Sequence, residues 1–425
     1  MDGGSVDVRS GPVRLVGREL HDDGGPFVAL GATLFWGTWA YRNDRARLER
    51  NLAWLRDHDF DYIRVLGVVG DPNAADFWDG REAEWRWPDY DDVIAGLTDL
   101  AWQSYGLRVE WTLIGDGQYG IPDEADRYAL VDRFLAMSTT RAEEIIHFEI
   151  ANEAWQNGFD GDAGNTQLRA LSTYMRDRTE IIVAASASSG RDCAGIAYVY
   201  GTVGEVADLV TVHFDRDTSR EEGMWGPVWQ PAMLAPCGDW IGSNNEPIGP
   251  GASVAMEDNP TRLASSVLST WVAGLPFHVF HSRAGVRGDF DVSEMPGADA
   301  FGSVHSLAPN DLPGWDRRRG DEADAPLRFF AEDAAGDLVP DAYWMDVAEP
   351  PRGGVVRADG AIRGSDFVFL PIGILGSVVV EARRPVSFDA YDPVTGALGA
   401  HHDLAAGERA TLTGGEAFFV RGQLL

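Results

Sequence analysis

Two glutamates carry the clearest chemical signal in this 425-residue chain. The apolar run 145–150 (IIHFEI) leads into Ala151-Asn152-Glu153-Ala154-Trp155. The short run 240–243 leads into Asn244-Asn245-Glu246-Pro247. Each glutamate directly follows an asparagine, just beyond a β-type run. Two carboxylates about 5–5.5 Å apart can cleave a glycosidic bond in two displacements: one protonates the departing oxygen while the other attacks the anomeric carbon. Both groups must then face one cavity, so the elements that carry them matter as much as the residues.

Those elements alternate. β-type runs at 27–33, 62–69, 107–114, 145–150, 181–185, 209–214, 240–243 and 277–280 are interleaved with helical patterns. The helices are read at 45–58 (Leu48, Leu52, Leu55), 91–105 (Ile94, Leu97, Leu100, Ala101), 124–137, 166–179, 193–206 and 260–273 (Leu263, Val267, Trp271). Apolar residues three and four apart define one helix face, and strand–helix alternation implies parallel strands joined by crossovers. Eight such units over roughly 250 residues predict an α/β fold, a closed (β/α)8 TIM barrel, which keeps reactive groups at the C-terminal ends of its strands. Residues 1–26 read as a hairpin capping the barrel floor, 27–322 as the barrel, and 323–425 as a small all-β sandwich with 321–326 as linker. The sandwich rests on β-type runs at 367–372, 377–381, 386–391, 410–413 and 417–421, separated by turn residues.

Composition narrows the chemistry. Sixty-seven Asp and Glu against 35 basic residues give a net charge of −32, which repels nucleic acid and anionic membrane surfaces and favours a neutral ligand. No apolar run approaches the roughly 20 residues of a membrane helix. Every basic residue is arginine. Without lysine there is no Schiff-base aldolase, pyridoxal-phosphate enzyme or Walker phosphate loop. Cys193 and Cys237 are too few for a disulfide scaffold or zinc cluster. They are expected as two free, buried thiols, with a single bridge as the alternative. No basic and apolar leader is visible at the N-terminus, which leaves a cytoplasmic, virion-associated or trimmed secreted protein open.

The motif Phe148-Glu149-Ile150-Ala151-Asn152-Glu153 resembles the fourth-strand signature of glycoside hydrolase clan A, most closely family 5, the cellulase family. The resemblance spans about residues 20–310. It implies Glu153 as general acid/base, Glu246 as nucleophile and Asn152 as a hydrogen-bond partner of the sugar 2-hydroxyl. It also implies Arg64, in Tyr62-Ile63-Arg64-Val65, as the cation that holds the nucleophile ionised, a role consistent with charge pairing. His213, in Thr211-Val212-His213-Phe214, matches the sixth-strand histidine of that site. Three positions depart from the pattern. The third strand ends Leu113-Ile114-Gly115-Asp116 where the family has a histidine. Asp215 stands where a tyrosine is common. The eighth strand ends Phe280-His281-Ser282-Arg283 where many members have tryptophan.

Around this pair, Glu149 shares strand parity with Glu153 and is read as a buried partner of an arginine. His147 lies toward the N-terminal end of its strand and is set aside. His281 could contact sugar in place of the missing tryptophan. Trp36, Trp155 and Trp225 follow β-type runs, as do Trp39 and Trp229, and aromatic faces suit sugar C–H faces. The reading is therefore a retaining β-glycosidase acting on a neutral glycan, expected to be an endo-acting glucanase or mannanase, with no cofactor or metal. The alternatives are a barrel that binds carbohydrate without cutting it, and a metal-dependent hydrolase or isomerase using His213, His281 and carboxylates.

Overall fold

The computed structural model describes residues 9–73, 75–188, 192–214, 216, 225–238, 240–251, 257–332, 335–340 and 357–425. Three short strands come first: β1 (Arg14–Val16), β2 (Glu19–Asp22) and β3 (Gly25–Phe27), an antiparallel sheet. Leu20 and Phe27 join Tyr62, Ile146, Leu209 and Phe277 in one buried cluster. That cluster seals the N-terminal end of the barrel with apolar surface.

Eight parallel strands follow: β4 (Ala29–Thr33), β5 (Tyr62–Val68), β6 (Arg108–Ile114), β7 (Ile145–Ala151), β8 (Val183–Ala184), β9 (Val210–Val212), β10 (Gly242–Asn244) and β11 (Phe277–Phe280). They form one sheet in the order β8-β7-β6-β5-β4-β11-β10-β9. A parallel bridge between Ala184 and Leu209 joins its two ends, so the sheet closes into a (β/α)8 barrel. Strand parity then divides the residues. Val109, Trp111 and Leu113 of β6 face the helices with Phe148 and Ile150 of β7. Glu110 and Thr112, one residue out of step, face inward with Glu149. Gly31 permits the Tyr62 ring to lie against β4, because a Cβ there would stand 2.4 Å from that ring.

Three helices differ clearly in extent from their sequence patterns: the one read at 193–206 ends at Tyr200, before Gly201. The 166–179 helix runs Gly161–Arg176, and the 91–105 helix is regular over Tyr90–Asp99 before a wider π-type turn at Leu100–Ser104. Helix Pro260–Val272 is capped by Asn259, whose side chain accepts from the Thr261 N–H at 2.9 Å. Its residues from Leu263 to Val272 are all buried. Such all-round burial means a second partner besides the barrel, and the β domain supplies it.

That domain comprises β12 (Asp316–Arg319), β13 (Leu327–Glu332), β14 (Leu338–Pro340), β15 (Arg357–Arg363), β16 (Asp366–Ile372), β17 (Ser377–Ala382), β18 (Val386–Tyr391), β19 (Leu398–Leu404), β20 (Arg409–Thr413) and β21 (Phe419–Leu424). Two antiparallel sheets, β12-β15-β16-β21-β18-β19 and β14-β13-β17-β20, enclose Phe329, Phe367, Phe369, Val378, Val380 and Phe388. β12 hydrogen-bonds to β15, so the sandwich sheet already begins at Asp316. Val368, Leu370, Ile372 and Phe419 point the other way and belong to the barrel's own apolar cluster. The Ser303 hydroxyl donates to the Val394 carbonyl at 2.7 Å across the same boundary. Barrel and sandwich therefore share a core.

The expectation of free thiols is corrected. Cys193 and Cys237 are bonded, with Cα atoms 5.1 Å apart. The bond ties the helix after β8 to the turn before β10, elements 44 residues apart, a proximity that only the closed barrel creates.

Candidate active site

Arg64 organises the barrel interior. Its guanidinium is fully buried and meets three carboxylates: Glu110 at 3.1 Å, Glu149 at 2.8 Å and Glu246 at 2.9 Å. It also donates to Asn152 Oδ1 at 2.8 Å and Thr112 Oγ1 at 3.2 Å. Burial opposes its charge, but the three anions outweigh that and raise its pKa. Glu149 is thus an arginine partner. Asn245 Nδ2 donates to Glu149 at 3.2 Å, and His147 lies 3.3 Å from Glu110. These contacts extend the network toward the floor.

Glu246 is held from four sides. Arg64 takes Oε1 and Arg216 takes Oε2, each at 2.9 Å. His213 Nδ1 lies 3.5 Å and His281 Nε2 3.6 Å from Oε2. Burial alone would raise the Glu246 pKa, yet the surrounding cationic groups hold it well below the usual carboxylate range. His281 is itself driven well below its ordinary pKa by burial. The two guanidiniums beside Glu246 carry permanent positive charge. The His281 Nδ1 atom pairs with the Thr33 hydroxyl at 2.9 Å. If that hydroxyl donates, the neutral ring presents Nε2–H toward Glu246.

Glu153 stands opposite. Its Oε1 lies 3.0 Å from His213 Nδ1, and its other oxygen accepts from the Gln156 amide. One oxygen of Glu153, one of Glu246 and a His213 nitrogen all lie within 4.8 Å of one another. Glu153 has φ 38°, a left-handed conformation that a residue with a Cβ adopts only when its surroundings impose it. Here the Asn152 N–H donates to Ile114 O at 2.9 Å, and the Ala154 N–H donates to Ser186 Oγ at 2.9 Å. The two bonds fix the chain on either side of the carboxylate.

Glu153, His213 and Glu246 also form a set that could hold a cation. Both Glu246 oxygens already accept from arginines, so a divalent ion there would face two guanidiniums at close range. That charge arrangement disfavours a metal centre.

The pair opens into a cavity of about 470 Å³, whose wall includes Phe35, Trp78, Asp116, Asn152, Arg216 and His281. Three of the expected aromatic residues do not line this cavity. Trp36 is completely buried and donates from Nε1 to Ala284 O at 2.8 Å. Its ring packs the barrel and offers no face to a ligand. Trp225 is half-buried beneath the β domain, with the Arg262 guanidinium 6.0 Å away. Trp155 is 44% exposed, two residues past Glu153 and outside the cavity lining. Asp215 lies outside the described residues.

Sequence reasoning passed over Arg216, Asp116, Thr33 and Trp78. Asp116, where the resemblance led one to expect histidine, accepts through Oδ2 from the Gly70 N–H and from Trp78 Nε1, both at 3.0 Å. Its position at a strand end was the available signal. Arg216, three residues beyond His213, gave none.

Comparison with solved structures agrees on the fold. The chain superposes on a glycoside hydrolase family 30 subfamily 8 xylanase from Clostridium acetobutylicum with a TM-score of 0.50 and 12% identity, over 99% of this chain and 98% of that one. It superposes on a glycoside hydrolase family 5 mannosidase from Rhizomucor miehei with a TM-score of 0.52 and 12% identity, over 73% of this chain and all of the other. No known protein family and no curated protein sequence matches the chain. The two neighbours come from two families, so the likeness extends to both rather than to family 5 in particular. The xylanase is matched over nearly the whole chain, barrel and β domain together, whereas the mannosidase is matched over 73% of it.

Proposed function

We propose that the protein is a retaining glycoside hydrolase, with Glu246 as nucleophile and Glu153 as general acid/base. The observation that carries this reading is the approach of the two carboxylates to within 4.8 Å at the mouth of the barrel, a separation that suits direct attack and leaves no room for an intervening water. In the first step Glu246 attacks the anomeric carbon while Glu153 delivers its proton to the departing oxygen. In the second, Glu153 takes a proton from water as that water attacks the glycosyl–Glu246 ester. Asn152 has its Oδ1 engaged by Arg64, which leaves its amide N–H groups to donate to a sugar hydroxyl. His213 spaces the carboxylates, and His281 and Arg64 orient the nucleophile. Trp155, exposed beside Glu153, is suited to stack on the departing sugar.

The substrate is proposed to be a β-linked neutral glycan such as a glucan, mannan or xylan, with the two structural neighbours as support for the reaction class. The bonded cysteine pair favours work in an oxidising compartment. The test is a reducing-sugar assay on glucan, glucomannan, galactomannan and xylan, with dinitrophenyl β-glycosides alongside. Dinitrophenolate leaves without protonation. Glu153→Gln should therefore still release a burst of it and then stall, whereas Glu246→Gln should release none. Equal loss in the two variants on this leaving group refutes the assignment of roles.

A further inference from the structure

A second hollow of about 550 Å³ opens beside the catalytic cavity. Val69, Asp71 and Gln118 line both spaces, so the two are adjacent. Its walls come from the segments after β5 and β6, and they are tied down. Val69 and Ala83 exchange backbone hydrogen bonds at 3.0 and 2.9 Å. The Gly70 N–H is anchored on Asp116, and the Tyr119 and Gly120 N–H groups donate to the Asp116 carbonyl at 3.0 and 2.9 Å. The Trp85 carbonyl accepts from Arg133 of the neighbouring helix. A hollow fixed in this way needs little ordering when a ligand enters.

Two aromatic side chains, Trp85 and Tyr119, line this space, and Tyr119 is 42% exposed. An exposed ring on the rim of a tethered hollow offers a face to sugar C–H groups. Asp71, Glu82 and Glu84 also line the hollow, while the Arg86 guanidinium is engaged by Asp126 at 2.9 Å. The local field is negative and would repel carboxylate-bearing sugars.

We propose that this hollow binds the sugar units adjoining those held in the catalytic cavity, and that it accepts uncharged units and rejects uronates. The proposal rests on the glycosidase reading and adds to it a substrate chain long enough to occupy both spaces, gripped by Tyr119 and Trp85.

The experiment compares wild type, Tyr119→Ala and Trp85→Phe on β-1,4-linked cellohexaose, mannohexaose and xylohexaose, and on the matching aryl β-monosaccharides. For the hexasaccharide that is turned over, kcat/KM should fall about tenfold more in Tyr119→Ala than it falls on the aryl glycoside, mostly through KM. Trp85→Phe, which keeps an aromatic face and part of the packing, should lose less. Equal losses on long and short substrates, or no loss on either, overturn the proposal, as does equal affinity for a uronate-substituted xylo-oligosaccharide. If no substrate is cleaved, the catalytic reading has failed. The hollow is then judged by calorimetric titration of the same hexasaccharides: binding weakened by Tyr119→Ala upholds it, and binding that is absent or insensitive to that change overturns it.

Discussion

Replacing Arg216 by methionine removes one of the two guanidiniums that hold Glu246 ionised, while keeping the length and much of the apolar stem of the side chain. The Arg216–Glu246 contact is 2.9 Å, with side-chain exposures of 16% and 5%. Charge centres roughly 4 Å apart attract by about 4 kcal/mol at an effective dielectric near 20, which is an upper bound for this pair. Arg64 stays in place on the other oxygen and water can enter the vacated space, so the net effect should be smaller, roughly 1.4–2.7 kcal/mol, or about one to two pH units. The sign follows from the charge: losing a cation makes the carboxylate easier to protonate. The acid limb of kcat/KM against pH, measured with an aryl β-glycoside, should move upward by that amount. Arg64 is the poorer choice for this test, because its removal strands Glu110 and Glu149 without their buried cation and would destabilise the barrel. An acid limb that stays in place, or moves downward, would refute the claim that Arg216 keeps the nucleophile charged. A uniform fall in rate with both limbs unmoved would give Arg216 a role in binding sugar.

Stability should respond to the same carboxylate. The folded-state pKa of Glu246 is depressed, so its contribution is complete above the unfolded value of about 4.3 and is lost as pH falls through the folded value. Denaturant midpoints should therefore decline more steeply below about pH 4.3 in wild type than in Glu246→Gln; parallel curves would show no such linkage. Opening the Cys193–Cys237 bond, by reductant or by replacing both residues with serine, releases a loop whose closure is worth about 4 kcal/mol in the chain-entropy picture. The thermal midpoint should fall in both cases, and an unchanged midpoint would refute the structural role. A chain ending before β12 should aggregate when expressed, because helix Pro260–Val272 would expose the side it buries against β16. A soluble, cooperatively unfolding barrel would show that the shared core is dispensable.

Much of this molecule is legible along the chain, for reasons that particular residues make plain. The spacing of Leu48, Leu52 and Leu55, and the β-branched and apolar run 62–68, reflect burial against the nearest neighbours in sequence. Periodicity reports such burial directly. The strand ends at Glu153 and Glu246 are visible because a parallel barrel has one reactive face and each strand reaches it once. The β domain was only half visible. Strand β12, rich in arginine, and β15 (RADGAIR) carry little alternation, because their pairing depends on partners distant in sequence.

Tertiary structure alone decided the rest. Trp36, Trp155 and Trp225 are alike as residues after β-type runs, and only the packing separates a sealed ring from an exposed one and from one lodged under the β domain. Arg216 reaches Glu246 from 30 positions away, and Cys193 meets Cys237 across the outside of the closed barrel. Residue type and local spacing fixed which groups could do chemistry and on which element each would sit, because those follow from short-range sterics and burial. Which of them meet, how far apart the carboxylates stand and what charge surrounds them depend on closing the barrel, which brings together side chains that no local pattern connects.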